Sequence, residues 1–166
     1  YSTSGGQKSS LNQGTNSVSI GNSRLVLSSD VTNNNATANT IQDVTGLSFP
    51  VVANRRYSFR FVIPYSAAVS TTGSRWCING PSFNELAVQS MYSLTGASNT
   101  INYVSNYDLP AASNATSGIT GTGNYATIEG MIRPTADGSV IARFASEVSG
   151  SAIIAKAGAY VDYQTI

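Results

Sequence analysis

The chain contains few of the residue types on which enzymes rely. Among its 166 residues there is no histidine and only one cysteine, Cys77, and charged side chains make up 10%, against about 25% in an average soluble protein. General acid–base and nucleophilic catalysis draw mainly on His, Cys, Asp, Glu, Lys and Tyr. Without histidine, a Ser-His-Asp or Cys-His arrangement is excluded. One cysteine also cannot supply the four nitrogen or sulfur ligands of a structural zinc site.

The acidic residues are few and scattered along the chain. Two carboxylates at a set separation, about 5 to 9.5 Å, could still serve glycoside hydrolysis, and a hydrolase acting on a cell envelope is one hypothesis. Nothing in the spacing favours a particular pair, and no calcium loop of the alternating Asp type is present. We therefore predict a non-enzymatic protein without catalytic, cofactor-binding or metal-binding residues. The acids in question are Asp30, Asp43, Glu85, Asp108, Glu129, Asp137, Glu147 and Asp162.

Other features that the chain lacks limit the kinds of partner it can bind. The net charge is +1 and there is no run of basic residues, so no electrostatic footprint for nucleic acid or an anionic membrane is present. No apolar stretch approaches 18 residues, so we expect neither a membrane-spanning segment nor a signal peptide. A single cysteine allows no internal disulfide. Because the chain begins at Tyr1, it is either processed, part of something longer, or numbered from its first ordered residue.

The residues that are abundant favour strands and turns. Hydrophobic residues make up 41% of the chain, enough for one domain with a sizeable core, while Ser, Thr, Asn and Gly together supply 71 residues. About nine or ten short strands with turn signals every 8 to 15 residues predict an all-β fold, an antiparallel β-sandwich resembling a jelly roll. The predicted strands are Arg24–Leu27, Thr40–Val52, Arg55–Ile63, Arg75–Asn79, Leu86–Leu94, Thr100–Asn106, Asn124–Ile132, Ser139–Ala145, Ala152–Lys156 and Tyr160–Ile166.

Several local features sharpen this prediction. Aromatic and polar residues alternate over Arg55–Ile63, which makes it the clearest strand, and Pro64 is expected to end it. Asp137-Gly138 predicts a hairpin between the strands at 124–132 and 139–145. A short helix over Phe83–Gln89 is an alternative that we disfavour. Residues Leu109–Gly123 are expected to form a long loop.

The N-terminal residues 1–23 differ from the predicted sandwich domain, 24–166. After Tyr1 they contain only three apolar residues, Leu11, Val18 and Ile20, among Ser, Gly, Asn, Gln and Thr. Such a segment cannot bury enough apolar surface to fold alone. It is either a flexible leader or linker or an extended arm that ties the domain to a neighbouring subunit. Under the second interpretation these three residues are candidate protein contacts.

A few side chains within the predicted strands invite a functional interpretation. Trp76 and Cys77 are interpreted as core residues, with Arg75 facing solvent rather than forming a binding patch. Glu129, Arg60 and Arg143 lie on strands where a cross-strand ion pair is possible. Tyrosines in neighbouring strands could be contact residues or core residues with one polar end. These are Tyr92, Tyr103 and Tyr107.

Seven strings occur together and in order: LSSDVT (27–32), DVTGLSFPV (43–51), RRYSFRF (55–61), TGSRWCINGP (72–81), YDLPAA (107–112), IEGMIRP (128–134) and VIARFASEV (140–148). The set resembles a β-rich domain that recurs in structural proteins of tailed bacteriophages, where it commonly follows a Gly/Ser-rich N-terminal stretch. The resemblance covers roughly Leu25–Ile166 and brings no catalytic residues. It implies a protein on the surface of a virion: a capsid decoration or cement protein, a head fibre, or part of a tail or baseplate fibre.

Two hypotheses therefore stand beside the hydrolase. In the first, the chain decorates or cements a capsid as a homo-oligomer, and its partners are capsid or other virion proteins. In the second, it is a tail-fibre or baseplate module that binds a host-surface glycan or receptor. Neither requires a cofactor, nucleic acid or a membrane.

Overall fold

A computed structural model describes residues 22–94, 97–110 and 123–166 of the chain. The described residues form eleven strands and no helix. The strands are β1 (Ser23–Val26), β2 (Val31–Asn33), β3 (Gln42–Val51), β4 (Tyr57–Ala67), β5 (Ser74–Asn79), β6 (Phe83–Ser93), β7 (Asn99–Val104), β8 (Asn124–Pro134), β9 (Gly138–Ser146), β10 (Ile153–Ala155) and β11 (Tyr160–Thr165).

The strands form two antiparallel sheets of unequal size. The larger sheet has the order β1-β11-β4-β8-β6-β7, with β10 pairing on β4 and β2 pairing on β10. The smaller sheet has the order β3-β9-β5. The all-β sandwich prediction is thus confirmed. The jelly-roll prediction stays a prediction, because β6 and β7 extend the larger sheet and leave only three strands in the smaller one.

The core lies between the two sheets and is rich in aromatic rings. The inward side chains of β4, from Tyr57 to Tyr65, are all buried, as the alternation along this strand predicts. Across the sandwich, Phe49 of β3 packs 5.5 Å from Phe59, and Trp76 of β5 packs 5.0 Å from Tyr65 (ring centroids). Trp76 is fully buried, so its interpretation as a core residue is confirmed.

The prediction that Pro64 ends its strand is wrong, because β4 continues through it to Ala67. On one side, β4 pairs with β11 as far as Val62 and with β10 from Tyr65 onward. Pro64 lies at the gap between them, where its carbonyl accepts a hydrogen bond from Lys156 N at 2.9 Å. The missing N–H of the proline faces this gap, so no ladder hydrogen bond is lost.

The predicted hairpin between the strands at 124–132 and 139–145 is also wrong. Strand β8 pairs with β4 and β6 in the larger sheet, whereas β9 pairs with β3 and β5 in the smaller one. The connection around Asp137 carries the chain from one sheet to the other. The turn signal marks where the chain reverses, but it does not say which sheet the next strand joins.

The disfavoured helix at 83–89 is absent, because these residues lie in β6. The strand that the sequence prediction omitted is β2, whose three residues lie in a polar stretch rich in asparagine.

Candidate interaction surface

The outer face of the larger sheet carries one continuous row of polar side chains. Because paired residues point to the same face of a sheet, the strand register aligns one residue from each of six strands. Across the sheet these are Arg24, Asp162, Arg60, Glu129, Gln89 and Tyr103. The first four, which we call the charged row, alternate in charge, so each cation has a carboxylate beside it.

Ion pairs follow directly from this register. Arg24 donates two hydrogen bonds of 2.7 Å to the Asp162 carboxylate, and its guanidinium lies 4.0 Å from the centre of the Tyr160 ring. The hydrogen bond from Arg24 lowers the pKa of Asp162 below its usual value. Arg60 and Glu129 approach to 3.5 Å, which confirms the cross-strand pair that the sequence made possible.

The same face also exposes large apolar side chains. Four large side chains on β7 and β8 keep much of their surface in contact with solvent: Tyr103 (84%), Ile101 (53%), Met131 (47%) and Tyr125 (46%). We call these four residues the apolar patch. In the register, Tyr103 is paired with Gln89 and Ile101 with Met91, while Met131 is paired with Ala87. The strand β7 that contributes the two most exposed side chains lies at the end of the strand order.

On the outer face of the smaller sheet, the edge strand β5 is covered instead. Its central row contains Asp43, Arg143 and Cys77, and Arg143 Nε lies 2.8 Å from Asp43 Oδ1. Cys77 is fully buried and its thiol lies 3.9 Å from the carbonyl oxygen of Tyr107. The Tyr107 hydroxyl donates a hydrogen bond of 2.5 Å to Pro81 O. The segment around Tyr107 therefore packs over β5.

Burial has a chemical consequence for Cys77. Desolvation raises the pKa of its thiol from 9.0 to about 12, and only the thiolate is a good nucleophile. The interpretation of Cys77 as a core residue is confirmed.

Arg75 differs from the sequence prediction, which placed it in solvent. Its side chain is only 18% exposed, and its Nε lies 3.0 Å from the Glu147 carboxylate, which is 13% exposed. Burial is the main cause that raises the pKa of Glu147, and the bond from Arg75 opposes it. The arginine beside Trp76 thus forms a half-buried ion pair, which a strand alternation alone could not predict.

The three tyrosines singled out in the sequence have different environments. Tyr92 is buried, Tyr107 is half-buried with its ring packed edge-on 5.2 Å from Phe83, and Tyr103 belongs to the apolar patch. Spacing along the chain could not separate them. What separates them is the face of the sheet: Tyr103 points outward, whereas Tyr92 points toward the core.

A shallow depression of about 480 Å³ lies over the charged row. Arg60 stands between Asp162 and Glu129 on the central strand of three, so the two acidic residues are about 10 Å apart at the backbone. Within the described parts of the chain, no group of three or more metal-ligating side chains occurs. The same residues include no helix long and apolar enough to cross a membrane.

The proposed arm contacts Leu11, Val18 and Ile20 lie outside the described residues, as does most of the predicted loop at 109–123. The described chain begins at Asn22, next to β1 at the margin of the larger sheet.

Comparison with known proteins gave structural likenesses only. No protein-family model and no curated protein sequence matches the chain. Among solved structures, the chain is similar to the VP2 subviral particle of infectious bursal disease virus, with 8% identity and a TM-score of 0.26 over 86% of this chain and 39% of that one. A structure of the Gx strain of the same virus gives 10% identity and a TM-score of 0.24 over 90% and 41%.

A third likeness is to the enzymatically active domain of bacteriophage CBA120 tailspike protein 4. Here the identity is 12% and the TM-score 0.24, over 88% of this chain and 19% of that one. The chain therefore spans about two fifths or less of the length of each of these structures.

Proposed function

We propose that this chain is a non-enzymatic structural protein of a phage virion, which binds neighbouring protein surfaces as a homo-oligomer that decorates or cements the capsid. Its contacts are the apolar patch on the larger sheet and the N-terminal arm with Leu11, Val18 and Ile20. The observation that carries the proposal is the contrast between the two outer faces: among the strand residues that the structure describes, the larger sheet alone exposes large apolar side chains on its outer face.

The apolar patch has the composition of a protein contact. Tyrosine and methionine are enriched at the centre of protein interfaces, whereas charged residues are depleted there. Tyr103, Ile101 and Met131 satisfy this pattern, and the charged row beside them would form the polar rim. Ile101 and Tyr103, which are neighbours on the outer face of β7, would form the centre of this contact, because contiguous exposed apolar side chains mark interaction sites. Many copies on a particle would then turn weak single contacts into strong attachment.

The charged row argues against the hydrolase hypothesis. A glycoside hydrolase needs one carboxylic acid with a raised pKa. Arg24 lowers the pKa of Asp162, and Arg60 lies between Asp162 and Glu129 and pairs with the latter at 3.5 Å. The single half-buried acid with a raised pKa described above, Glu147, is held by Arg75 rather than by a second acid. The face therefore has the chemistry of a contact rim.

The proposal is tested by locating the chain in a cryo-EM map of the assembled particle and by measuring attachment of variants to particles that lack it. A double variant, Ile101→Thr with Tyr103→Thr, should reduce attachment at least tenfold while keeping strand propensity. The matched control is Val69→Thr, which removes another exposed apolar side chain, 51% exposed, outside the patch. Unchanged attachment of both the double variant and a deletion of residues 1–21 would overturn the proposal.

A tail-fibre module that binds a host glycan is the second candidate, and the exposure of Tyr103 favours it, because aromatic side chains with a polar tip suit sugar as well as protein contacts. The map separates the two hypotheses. Density on the capsid shell supports decoration, whereas density at a fibre or tail tip, together with binding on a glycan array that Tyr103→Thr abolishes, supports the glycan module.

A further inference from the structure

One end of the sandwich concentrates positive charge in a chain that has little charge. Of the eight described cations, five each pair with one separate carboxylate. These pairs are Arg24–Asp162, Arg60–Glu129, Arg75–Glu147, Arg143–Asp43 and Lys156–Asp30. The other three cations are Arg55, Arg56 and Arg133, and all three line a single depression of about 370 Å³.

Two of these three arginines share one glutamate. Arg56 Nη2 lies 2.6 Å from Glu85 Oε2, and Arg133 Nη1 lies 3.5 Å from Glu85 Oε1. Arg55 has no ion pair with any residue in the described part of the chain. Asp137, the next acid at this end, accepts a hydrogen bond from the Ala53 backbone. With both acids counted, the side chains at this end carry an excess of one positive charge, whereas every other described cation is matched by a carboxylate.

The backbone holds the arginines in place. Asn54 adopts a left-handed conformation with φ of 62° and donates its N–H to Pro134 O at 2.7 Å. Arg133 Nε donates to Asn54 O at 3.3 Å, and the N–H of Ile166 donates to Arg56 O at 3.0 Å. A loop fixed on β8 and on the end of β11 therefore presents two adjacent arginines beside a third.

We infer that this depression, the arginine pocket, binds a compact oxyanion, either a free phosphate or sulfate or the carboxylate of an acidic sugar. Guanidinium groups bind such anions through paired N–H donors. Arg55 is free to bind the anion, and Arg56 and Arg133 would add donors as they exchange part of their contact with Glu85. The lining also includes the polar residues Asn54 and Thr165 and the exposed Ile166, which suits a small ligand with polar groups and one apolar edge. The inference does not depend on the proposed function.

The test uses the full chain with inorganic phosphate, sulfate, glucuronate and, as a neutral control, glucose, all at constant ionic strength. The readouts are the NMR signals of the arginine Nε–H groups and isothermal titration calorimetry. We expect saturable shifts at Arg55, Arg56 and Arg133 with at least one oxyanion and none with glucose. A preference for glucuronate over phosphate and sulfate identifies a sugar carboxylate as the source, and the reverse preference identifies the free anion.

Three variants decide whether the pocket is responsible. Arg55→Gln should weaken binding at least tenfold, because it removes the unpaired guanidinium. Glu85→Gln should strengthen binding severalfold, because it removes the competing carboxylate. Arg24→Gln is the matched control on the charged row and should change affinity less than twofold. Absence of saturable shifts, or an equal loss in Arg24→Gln and Arg55→Gln, would overturn the inference.

Discussion

The two outer faces of this sandwich carry similar ion pairs but differ in how far the chain itself covers them. Each has an acid–arginine pair aligned by strand register, Asp43–Arg143 on the smaller sheet and Arg60–Glu129 on the larger. On the smaller sheet, the chain packs its own Tyr107 segment over β5 and buries Cys77. On the larger sheet, Tyr103 and Ile101 stay exposed. The comparison teaches that exposure here depends on which face the chain itself covers, and not on the composition of the strands.

Trp76 lies in the core that both sheets share, and its replacement should have the largest effect on stability. The ring is fully buried and stacks on Phe144 at 5.0 Å between centroids, while its Nε1 donates to Ser74 Oγ at 2.9 Å. We expect Trp76→Ala to lower the free energy of unfolding by about 3–5 kcal/mol. This is a large part of the 5–15 kcal/mol typical of a domain, and urea denaturation followed by circular dichroism measures it.

Trp76→Phe is the matched control for this variant, because it keeps a buried six-membered aromatic ring while losing part of the indole and its hydrogen bond to Ser74. Its loss should be clearly smaller than that of Trp76→Ala. Equal losses would mean that packing at this position matters less than the aromatic contacts imply.

The comparison itself is tested by two tyrosines, one on each face. Tyr107→Ala should cost about 2–3 kcal/mol, because it removes a half-buried ring and the hydrogen bond to Pro81. Tyr103→Ala should change the free energy of unfolding by less than about 0.5 kcal/mol, as exposed substitutions usually do. Thermal unfolding of the two variants side by side measures the difference. Similar losses for both would break the comparison.

The reactivity of the Cys77 thiol provides a separate measure of how well the Tyr107 segment covers β5. With a thiol pKa of about 12 in the folded protein, it should react very slowly with iodoacetamide at pH 8. Tyr107→Ala should speed the labelling at least tenfold, and Tyr103→Ala should leave it unchanged. Rapid labelling of the unaltered protein would contradict the burial of this face.

Two ion pairs, one half-buried and one exposed, extend the comparison to smaller changes in stability. Arg75→Gln should cost about 1–3 kcal/mol, because it leaves the poorly solvated Glu147 carboxylate without its partner. Arg60→Gln should cost less than about 1 kcal/mol, because that pair is exposed and screened. Unfolding at 0.05 and 0.5 M NaCl measures both, and only the Arg60 contribution should fade with salt.

The smallest effect concerns Asp162, whose pKa is lowered by Arg24. A lowered pKa in the folded state means that the unfolded chain binds a proton first as the pH falls. The stabilisation is therefore present above the ordinary carboxyl pKa, 3.8, and is lost as the pH falls below it. Wild type and Asp162→Asn should differ slightly in stability at pH 6, and the difference should shrink as the pH falls below 3.8, as thermal unfolding would show. A stability difference that grows as the pH falls would contradict the lowered pKa of Asp162.

The sequence predicts a strand well where buried and exposed residues alternate along it. Along β4, buried aromatic residues at every second position indicate both the strand and its inward face. Pro64 misleads because its tolerance depends on the gap between β10 and β11, two strands more than 85 positions further along the chain. The hairpin prediction at Asp137 fails for a similar reason, since choosing between two sheets is a long-range decision.

The candidate site is harder to predict from the sequence than the fold is. Tyr103 was recognised as a possible contact, but its exposure follows only from the position of β7 at the end of the strand order. The arginine pocket was not predicted, because Arg133 is distant in sequence from Arg55 and Arg56. The adjacent pair Arg55-Arg56 before a strong strand was the one signal that could have pointed to it.

The pairing of β1 with β11 has a consequence for how the protein is made. Arg24 and Asp162 are separated by 138 positions, so the strand at the start of the domain finds its neighbour only after the last strand has left the ribosome. Loops of this length close slowly, and sheets built from such distant pairs fold on the slow end of the range. During synthesis, the edge of β1 that pairs with β11 therefore stays unpaired until β11 emerges.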